Sequence, residues 1–272
     1  MTLSPIASHS LLPAALAAFL LACAPRPEAP QQATIAAASD LQFALEDILG
    51  DFRRAHPAAD IRTVYGSSGN FYTQIRGQAP FDLFLSADVE YPRRLAREGL
   101  ALPESLFTYA VGRIVVWAPA GSPLDPARLG MGALEALSVR HVAIANPEHA
   151  PYGRAAAAAM KSMGVYDRVA GKLVLGENAA QAFEFVESGT AEVGIVPLSL
   201  AAAPAVRSHG RYWEVPLDAY PAIEQGGAIL GRARGSRLAL DLRNYLASPA
   251  VGARLKQYGF FPPQDRARQE AH

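Results

Sequence analysis

Short apolar runs rich in Val and Ile alternate along this chain with segments whose apolar residues recur at helical spacing. The first run covers residues 34–38. In the segment that follows, Leu41, Leu45, Ile48 and Phe52 lie on one face of a helix. Strands that alternate with helices in this way are typical of a mainly parallel sheet covered by helices. The alternation therefore predicts an α/β fold.

The same alternation continues along the chain, without an internal repeat. It predicts further strands at residues 61–65, 82–85, 113–118, 141–145, 172–175 and 193–196. It predicts further helices at residues 71–76, 154–163, 181–187 and 236–246, and a last helix that ends near residue 258. The part of the chain that follows the N-terminal segment is long enough for one large domain or for two lobes of about 120 residues each.

The N-terminal segment differs in composition from the rest of the chain. Residues 11–22 form an uncharged apolar run, which Cys23 and a proline-rich stretch follow. Such a run is too short to span a bilayer and is typical of a secretory signal. The Leu-Leu-Ala-Cys sequence at residues 20–23 resembles the lipobox of bacterial lipoproteins. We predict a signal peptide with lipobox at residues 1–23 and an extended linker at residues 24–32.

In this interpretation Cys23 carries lipid and anchors the folded part on the periplasmic or extracytoplasmic face of the membrane. An ordinary cleaved signal peptide is the alternative. Cys23 is the only cysteine in the sequence, so no internal disulfide can form.

Charge and motif content argue against several classes of function. The 25 Lys and Arg residues balance 25 Asp and Glu residues, and this absence of a basic field argues against a nucleic-acid partner. The sequence has no H-E-x-x-H motif and no cysteine pair, so we expect no metal ion coordinated directly by the protein. Residues 66–70, Gly-Ser-Ser-Gly-Asn, lack the second glycine of the G-x-S-x-G motif. We therefore expect no enzyme, with a hydrolase that depends on Ser68 as the remaining alternative of that class.

Serines stand where two predicted strands pass into helices. Ser39 follows the first strand, and Ser67 and Ser68 follow the second. Ligands of open α/β sheets bind at such turns, where the free N–H groups and the dipole of a helix suit an anion. Serine is also common there simply as a helix N-cap, and for either turn alone this is the simpler interpretation.

The order and spacing of several short stretches resemble the periplasmic molybdate-binding proteins of ABC transporters. These stretches are Ala-Ala-Ala-Ser-Asp-Leu at residues 36–41, Gly-Ser-Ser-Gly at 66–69, Ala-Pro-Phe-Asp-Leu-Phe-Leu-Ser-Ala-Asp at 79–88, Asn-Pro-Glu-His-Ala-Pro-Tyr-Gly at 146–153, Gly-Ile-Val at 194–196 and Tyr-Gly-Phe at 258–260. The resemblance extends over nearly all of the chain after residue 32.

This resemblance implies a two-lobed type II periplasmic-binding fold, in which each lobe is a mainly parallel sheet flanked by helices and two strands form the hinge. Residues 33–112 and 216–272 would form lobe I, and residues 113–215 would form lobe II. The matching positions for an oxyanion are Ser39 and Ser68 in lobe I and the backbones of Tyr152 and Ala179 in lobe II. The protein would be a monomer without a cofactor that passes molybdate or tungstate to a membrane permease.

One position departs from the family pattern. Many members have a tyrosine whose hydroxyl reaches the anion where this chain has Pro197. Tyr152 or Ser199 is a candidate to substitute for that hydroxyl. A site made only of donors favours a fully deprotonated oxyanion and disfavours hydrogen phosphate. Sulfate or another small anion remains an alternative ligand, and a sensor that reports the ligand to a signalling partner is an alternative role.

Overall fold

The computed structural model describes residues 1–2 and 31–263. The predicted lipidation site Cys23, most of the signal peptide and residues 24–30 of the linker lie outside the described part. The last two residues of the predicted linker, Gln31 and Gln32, belong to the first strand, where they pair with Ala59 and Asp60. No helix in the described ranges is long and apolar enough to cross a membrane.

The strands form two five-stranded sheets. The first sheet has the order β2-β1-β3-β10-β4 and the second has the order β7-β6-β8-β5-β9. The strands of the first sheet are β1 (Gln31–Ala38), β2 (Ala59–Gly66), β3 (Leu83–Ser86), β4 (Phe107–Gly112) and β10 (Ile223–Ile229). The strands of the second sheet are β5 (Ile114–Pro119), β6 (Val142–Ala145), β7 (Leu173–Gly176), β8 (Val193–Pro197) and β9 (Gly210–Glu214).

In each sheet one strand runs against the other four. In the first sheet β10 is antiparallel to both of its neighbours, β3 and β4. In the second sheet β5 is antiparallel to both of its neighbours, β8 and β9. The remaining ladders, β1 with β2 and β3 and β6 with β7 and β8, are parallel. This topology confirms the predicted α/β architecture with mainly parallel sheets.

Helices cover the faces of both sheets. They are α1 (Gln42–Ala55), α2 (Ser68–Arg76), α3 (Glu90–Arg97), α4 (Pro126–Leu129), α5 (Pro151–Ser162), α6 (Tyr166–Val169), α7 (Ala179–Glu187), α8 (Leu198–Ala201), α9 (Arg237–Leu246) and α10 (Pro249–Gln257). A short 3₁₀ turn at Ser39–Leu41 separates β1 from α1. Of the longer elements, the sequence does not predict α3, β4, β9 and β10.

Strand β1 shows why the helices lie on both faces of the sheet. Ile35 and Ala37 pack with the apolar face of α1, whereas Ala36 packs on the opposite face with Phe71 and Ile75 of α2. All three strand residues are fully buried. A strand buried on both faces has a nearly continuous apolar sequence, which is the pattern that residues 34–38 show.

Two short segments connect the sheets. The chain passes from the first sheet to the second between Gly112 and Ile114, and it returns between Glu214 and Ile223. The two segments lie side by side, because the N–H of Val215 donates to the carbonyl of Ile114 at 3.1 Å. We call β1–β4, β10 and the helices on them lobe I, and β5–β9 with their helices lobe II.

Candidate functional site

Elements of both lobes line one small cavity, with a free volume of about 10 Å³. The four residues that the family resemblance assigned to an oxyanion site all line this cavity: Ser39, Ser68, Tyr152 and Ala179. The other lining residues are Ala38, Asp40, Gly66, Ser67, Ala87, Ala150 and Pro151. No Lys or Arg belongs to this lining among residues 31–263.

The two serine turns of lobe I lie together because of the strand register. Strands β1 and β2 are parallel neighbours, and Ala38 pairs with Gly66 at their carboxyl ends. The residues that follow, Ser39 and Ser67, therefore lie at the same edge of the sheet, where open α/β sheets bind ligands. Both serine turns are buried.

Lobe II contributes the starts of two helices. Strands β6 and β7 are also parallel neighbours, and Ala145 pairs with Gly176 near the starts of α5 and α7. Tyr152 and Ala179 lie in the first turns of these helices. First-turn N–H groups have no acceptor within their own helix, and they carry the positive end of the helix dipole. Both backbones can therefore donate to an anion in the cavity.

The serine hydroxyls are oriented by backbone donors. Ser39 Oγ accepts from the N–H of Ala180 at 3.2 Å, and Ser68 Oγ accepts from the N–H of Ala87 at 2.9 Å. A hydroxyl that accepts a hydrogen bond still has its own proton to donate. The bond from Ala180 also joins α7 of lobe II to the serine turn of lobe I. Both serines can therefore act as donors toward a ligand that only accepts.

A buried carboxyl group also lines the cavity. Asp40 is 1% exposed, and its Oδ2 accepts from Tyr152 Oη at 2.9 Å and from Gln225 Nε2 at 2.6 Å. Burial raises the pKa of Asp40 to about 6, although the hydrogen bonds from Gln225 and Tyr152 and the interaction with its own backbone N–H lower it in part. Burial, the charge of Asp40 and the hydrogen bond to it raise the pKa of Tyr152 well above its usual value, so this hydroxyl stays protonated.

Asp40 also accepts hydrogen bonds from the two hydroxyls that were candidates to replace the family tyrosine. Tyr152 Oη donates to its carboxylate, and Ser199 Oγ donates to its backbone carbonyl at 2.9 Å. Pro197 ends β8 and precedes α8. The candidate role of Tyr152 at the cavity is therefore the one assigned to its backbone, while its side chain joins the two lobes. Sequence reasoning missed Asp40 and Gln225 as part of this region.

Further contacts between the lobes surround the cavity. The N–H of Gly69 in α2 donates to the carbonyl of His149 at 2.9 Å, and Ser67 Oγ lies 3.0 Å from His149 Nδ1. Arg154 of lobe II forms an ion pair with Asp88 of lobe I at 2.7 Å. The structure thus has the lobes in contact around the site.

The Ser67–His149 contact is one that the sequence did not indicate. A serine beside a histidine occurs in hydrolases, and His149 Nε2 lies 3.6 Å from a carboxylate oxygen of Glu177. Here the histidine belongs to the opposite lobe, and Ser67 Oγ serves as the N-cap of α2 by accepting from Asn70. The pair therefore has a structural explanation as a lobe contact and a helix cap.

Comparison with known proteins identifies the family and the relatives of this chain. Residues 33–261 match the family model of bacterial extracellular solute-binding proteins. The chain is 37% identical to the molybdate-binding protein ModA of Azotobacter vinelandii, over 93% of this chain and 98% of that protein. It is 41% identical to the ModA protein of Rhodobacter capsulatus, over 72% of this chain and 75% of that protein.

Solved structures have the same architecture. The periplasmic molybdate-binding protein of Azotobacter vinelandii superimposes with a TM-score of 0.79 at 31% identity, covering 85% of this chain and 100% of that one. The predicted two-lobed periplasmic-binding fold is therefore confirmed.

Proposed function

Because this chain belongs to the family of bacterial extracellular solute-binding proteins, we propose that it captures molybdate or tungstate and delivers it to an ABC transporter. The observation that carries this proposal is the convergence of two serine hydroxyls and two helix N-termini on one cavity without a Lys or Arg in its described lining. The named function of the Azotobacter and Rhodobacter relatives supports the choice of ligand.

Neutral donors are sufficient to bind a dianion in such a cavity. An isolated buried ion loses a very large solvation free energy. Each helix N-terminus contributes about half a positive charge, and fixed N–H and O–H groups replace the hydrogen bonds of water. The first turns of α5 and α7 and the hydroxyls of Ser39 and Ser68 supply such groups from both lobes. The protein contacts only the oxygens of the anion, so the metal needs no direct ligand from the chain.

The wider role follows from family membership and remains part of the proposal. Lobe closure around the anion would be the state that the membrane permease recognises. The protein would act as a monomer outside the cytoplasm, anchored through lipid on Cys23, and without a cofactor. As a binding protein it would turn over no substrate, and ester hydrolysis that depends on Ser67 or Ser68 would contradict this.

Calorimetric titration with molybdate, tungstate, sulfate and phosphate tests the ligand. We expect heat of binding from the first two anions, and no heat from either would exclude molybdate capture. Sulfate has the same charge and shape as molybdate, so stronger binding of sulfate would assign the protein to sulfate instead.

Replacing Ser39 and Ser68 by Ala tests the site. A hydrogen bond to a charged group contributes about 1.5 to 3 kcal/mol, so each single variant should lose about tenfold or more in molybdate affinity, and the double variant about a hundredfold or more. Ser208→Ala is the control, because Ser208 is exposed and does not line the cavity. Undiminished binding by the double variant would show that the anion binds elsewhere.

A further inference from the structure

The carboxyl of Asp40 is an unusual neighbour for a bound anion. It lines the cavity, it is fully buried, and its Oδ2 accepts two hydrogen bonds, whereas its Oδ1 has no hydrogen-bond partner in the described part of the chain. The structure therefore leaves one oxygen of a buried acid without the donor that an ionised carboxylate requires.

The groups that face Asp40 are neutral. From α5 it meets the hydroxyl of Tyr152, and from β10 it meets the amide of Gln225. Burial, followed by the charge of Asp40, raises the pKa of Tyr109 of β4 well above its usual value. The pKa of Tyr220, which precedes β10 in the chain, is also raised, chiefly by burial. These tyrosines stay uncharged through the neutral pH range.

The Arg and His side chains of this region contact residues other than Asp40. Arg154 pairs with Asp88, and Arg113 pairs with Glu214. His149 contacts Ser67 and lies near Glu177. Among the hydrogen bonds and ion pairs of residues 31–263, none joins Asp40 to a Lys, Arg or His. An ionised Asp40 and a dianion would thus be two like charges in one cavity without a cation between them, which is strongly unfavourable.

We propose that this protein takes up one proton for each dianion that it captures, and that Asp40 is the residue that receives the proton. The proposal rests on the proposed function of the cavity. Protonation removes the negative charge beside the anion. It also converts the carboxyl into a group with one O–H donor, which suits a ligand that only accepts. The proton comes from solvent when the lobes close. The anion is then the only charged group in the cavity.

Asp40→Asn is the matched variant for this proposal. An asparagine can place its carbonyl oxygen where Tyr152 and Gln225 donate and its NH₂ group where Oδ1 stands. It therefore reproduces the protonated acid in shape and hydrogen bonding, and it cannot titrate.

The experiment is calorimetric titration of the wild-type protein with molybdate at pH 8 in buffers of different ionisation enthalpy. The slope of the observed heat against the buffer enthalpy gives the number of protons taken up per anion. We expect about one proton for the wild type and about zero for Asp40→Asn. Since the pKa of Asp40 is about 6, the wild-type dissociation constant should rise by nearly tenfold per pH unit above about pH 7. That of Asp40→Asn should be independent of pH.

Each outcome decides between the alternatives. Uptake near zero for the wild type, or uptake that persists in Asp40→Asn, overturns the proposal. His149→Gln should retain uptake of about one proton whatever it does to affinity, and loss of uptake in this variant would assign the proton to His149. If neither molybdate nor tungstate binds at all, it is the proposed function that fails. Phosphate binding without proton uptake would mean that the ionised carboxylate accepts a hydrogen bond from the O–H group of hydrogen phosphate, which also contradicts the proposal.

Discussion

At the scale of single residues, Asp40 makes the stability of the free protein depend on pH. Burial raises its pKa from 3.8 to about 6, whereas in the unfolded chain the group ionises near pH 4. Between about pH 4 and pH 6 the folded state therefore binds a proton that the unfolded state has lost. The free energy of unfolding must fall as the pH rises through this window, by up to about 3 kcal/mol for a shift of about two pKa units.

Asp40→Asn should remove this loss of stability. Without ligand at pH 8, we expect the variant to melt at a higher temperature than the wild type, and at pH 4 we expect the two melting temperatures to converge. Thermal unfolding followed by circular dichroism across pH 4–8 measures the difference. The control is Asp218→Asn, because Asp218 is exposed. A difference in melting temperature between the wild type and Asp40→Asn that is the same at every pH from 4 to 8 would contradict a buried titrating carboxyl.

The sequence predicted some of the residues around the cavity and missed others for a definite reason. The local pattern identified Ser39 and Ser68 as residues of strand-to-helix turns, and the resemblance to the family assigned them together to one oxyanion site. Asp40 looks like an ordinary acid at the start of a helix. Its distinctive surroundings depend on Gln225, 185 residues away in the chain, and on the pairing of β10 beside β3. Local pattern carries no information on such a contact.

At the scale of elements, helix α2 meets lobe II through a glycine. A Cβ atom added at Gly69 would lie 2.6 Å from the carbonyl oxygen of His149, closer than any normal contact. The clash exists only when the lobes are in contact, because His149 belongs to the other lobe. Gly69 therefore permits the close approach of α2 to the loop before α5.

Gly69→Ala should weaken anion binding without destabilising the free protein. We expect molybdate affinity to fall by at least about tenfold, while helix propensity favours alanine over glycine by about 1 kcal/mol in the ligand-free state. Gly252→Ala in α10 is the control, because nothing lies within 4 Å of its added Cβ. It should leave affinity unchanged. Titration calorimetry and thermal unfolding report the two effects separately, and a Gly69→Ala variant with wild-type affinity would show that the anion-bound lobes do not approach as closely as in this structure.

Strand β10 shows why some elements were not predicted. Its central glycines, Gly226 and Gly227, are unfavourable in strands by propensity. Gly227 is required there because an added Cβ would lie 2.7 Å from the carbonyl oxygen of Phe84 in β3. Tertiary packing thus overrides the local signal at this strand, whereas β1 and β6 were predictable because their Val, Ile and Ala residues are buried along their length.

At the scale of the whole molecule, the elements that carry the candidate donors also carry the contacts between the lobes. The N–H of Ala180 in α7 binds Ser39, the hydroxyl of Tyr152 in α5 binds Asp40, and Gly69 in α2 binds the loop before α5. The two connecting segments lie side by side, joined by the hydrogen bond from Val215 to Ile114. An anion that bridges these elements therefore stabilises the closed arrangement of the lobes, and anything that weakens closure weakens capture by the same free energy.

The ion pair between Arg154 and Asp88 allows this coupling to be measured. It crosses between the lobes at 2.7 Å, with the two side chains 40% and 30% exposed, and the guanidinium also lies over the ring of Tyr91. Because exposed pairs contribute about 0.2 to 1 kcal/mol, we expect Arg154→Gln to lower molybdate affinity by about 1.5- to 5-fold, with a smaller effect at high salt. Arg168→Gln is the matched control, since Arg168 pairs with Glu135 within lobe II, and it should leave affinity unchanged.

Small-angle X-ray scattering should show that molybdate reduces the radius of gyration of the wild type, and that Arg154→Gln needs a higher molybdate concentration for the same compaction. Equal affinities and equal compaction curves for Arg154→Gln and Arg168→Gln would show that the ion pair between Arg154 and Asp88 does not contribute to closure of the lobes.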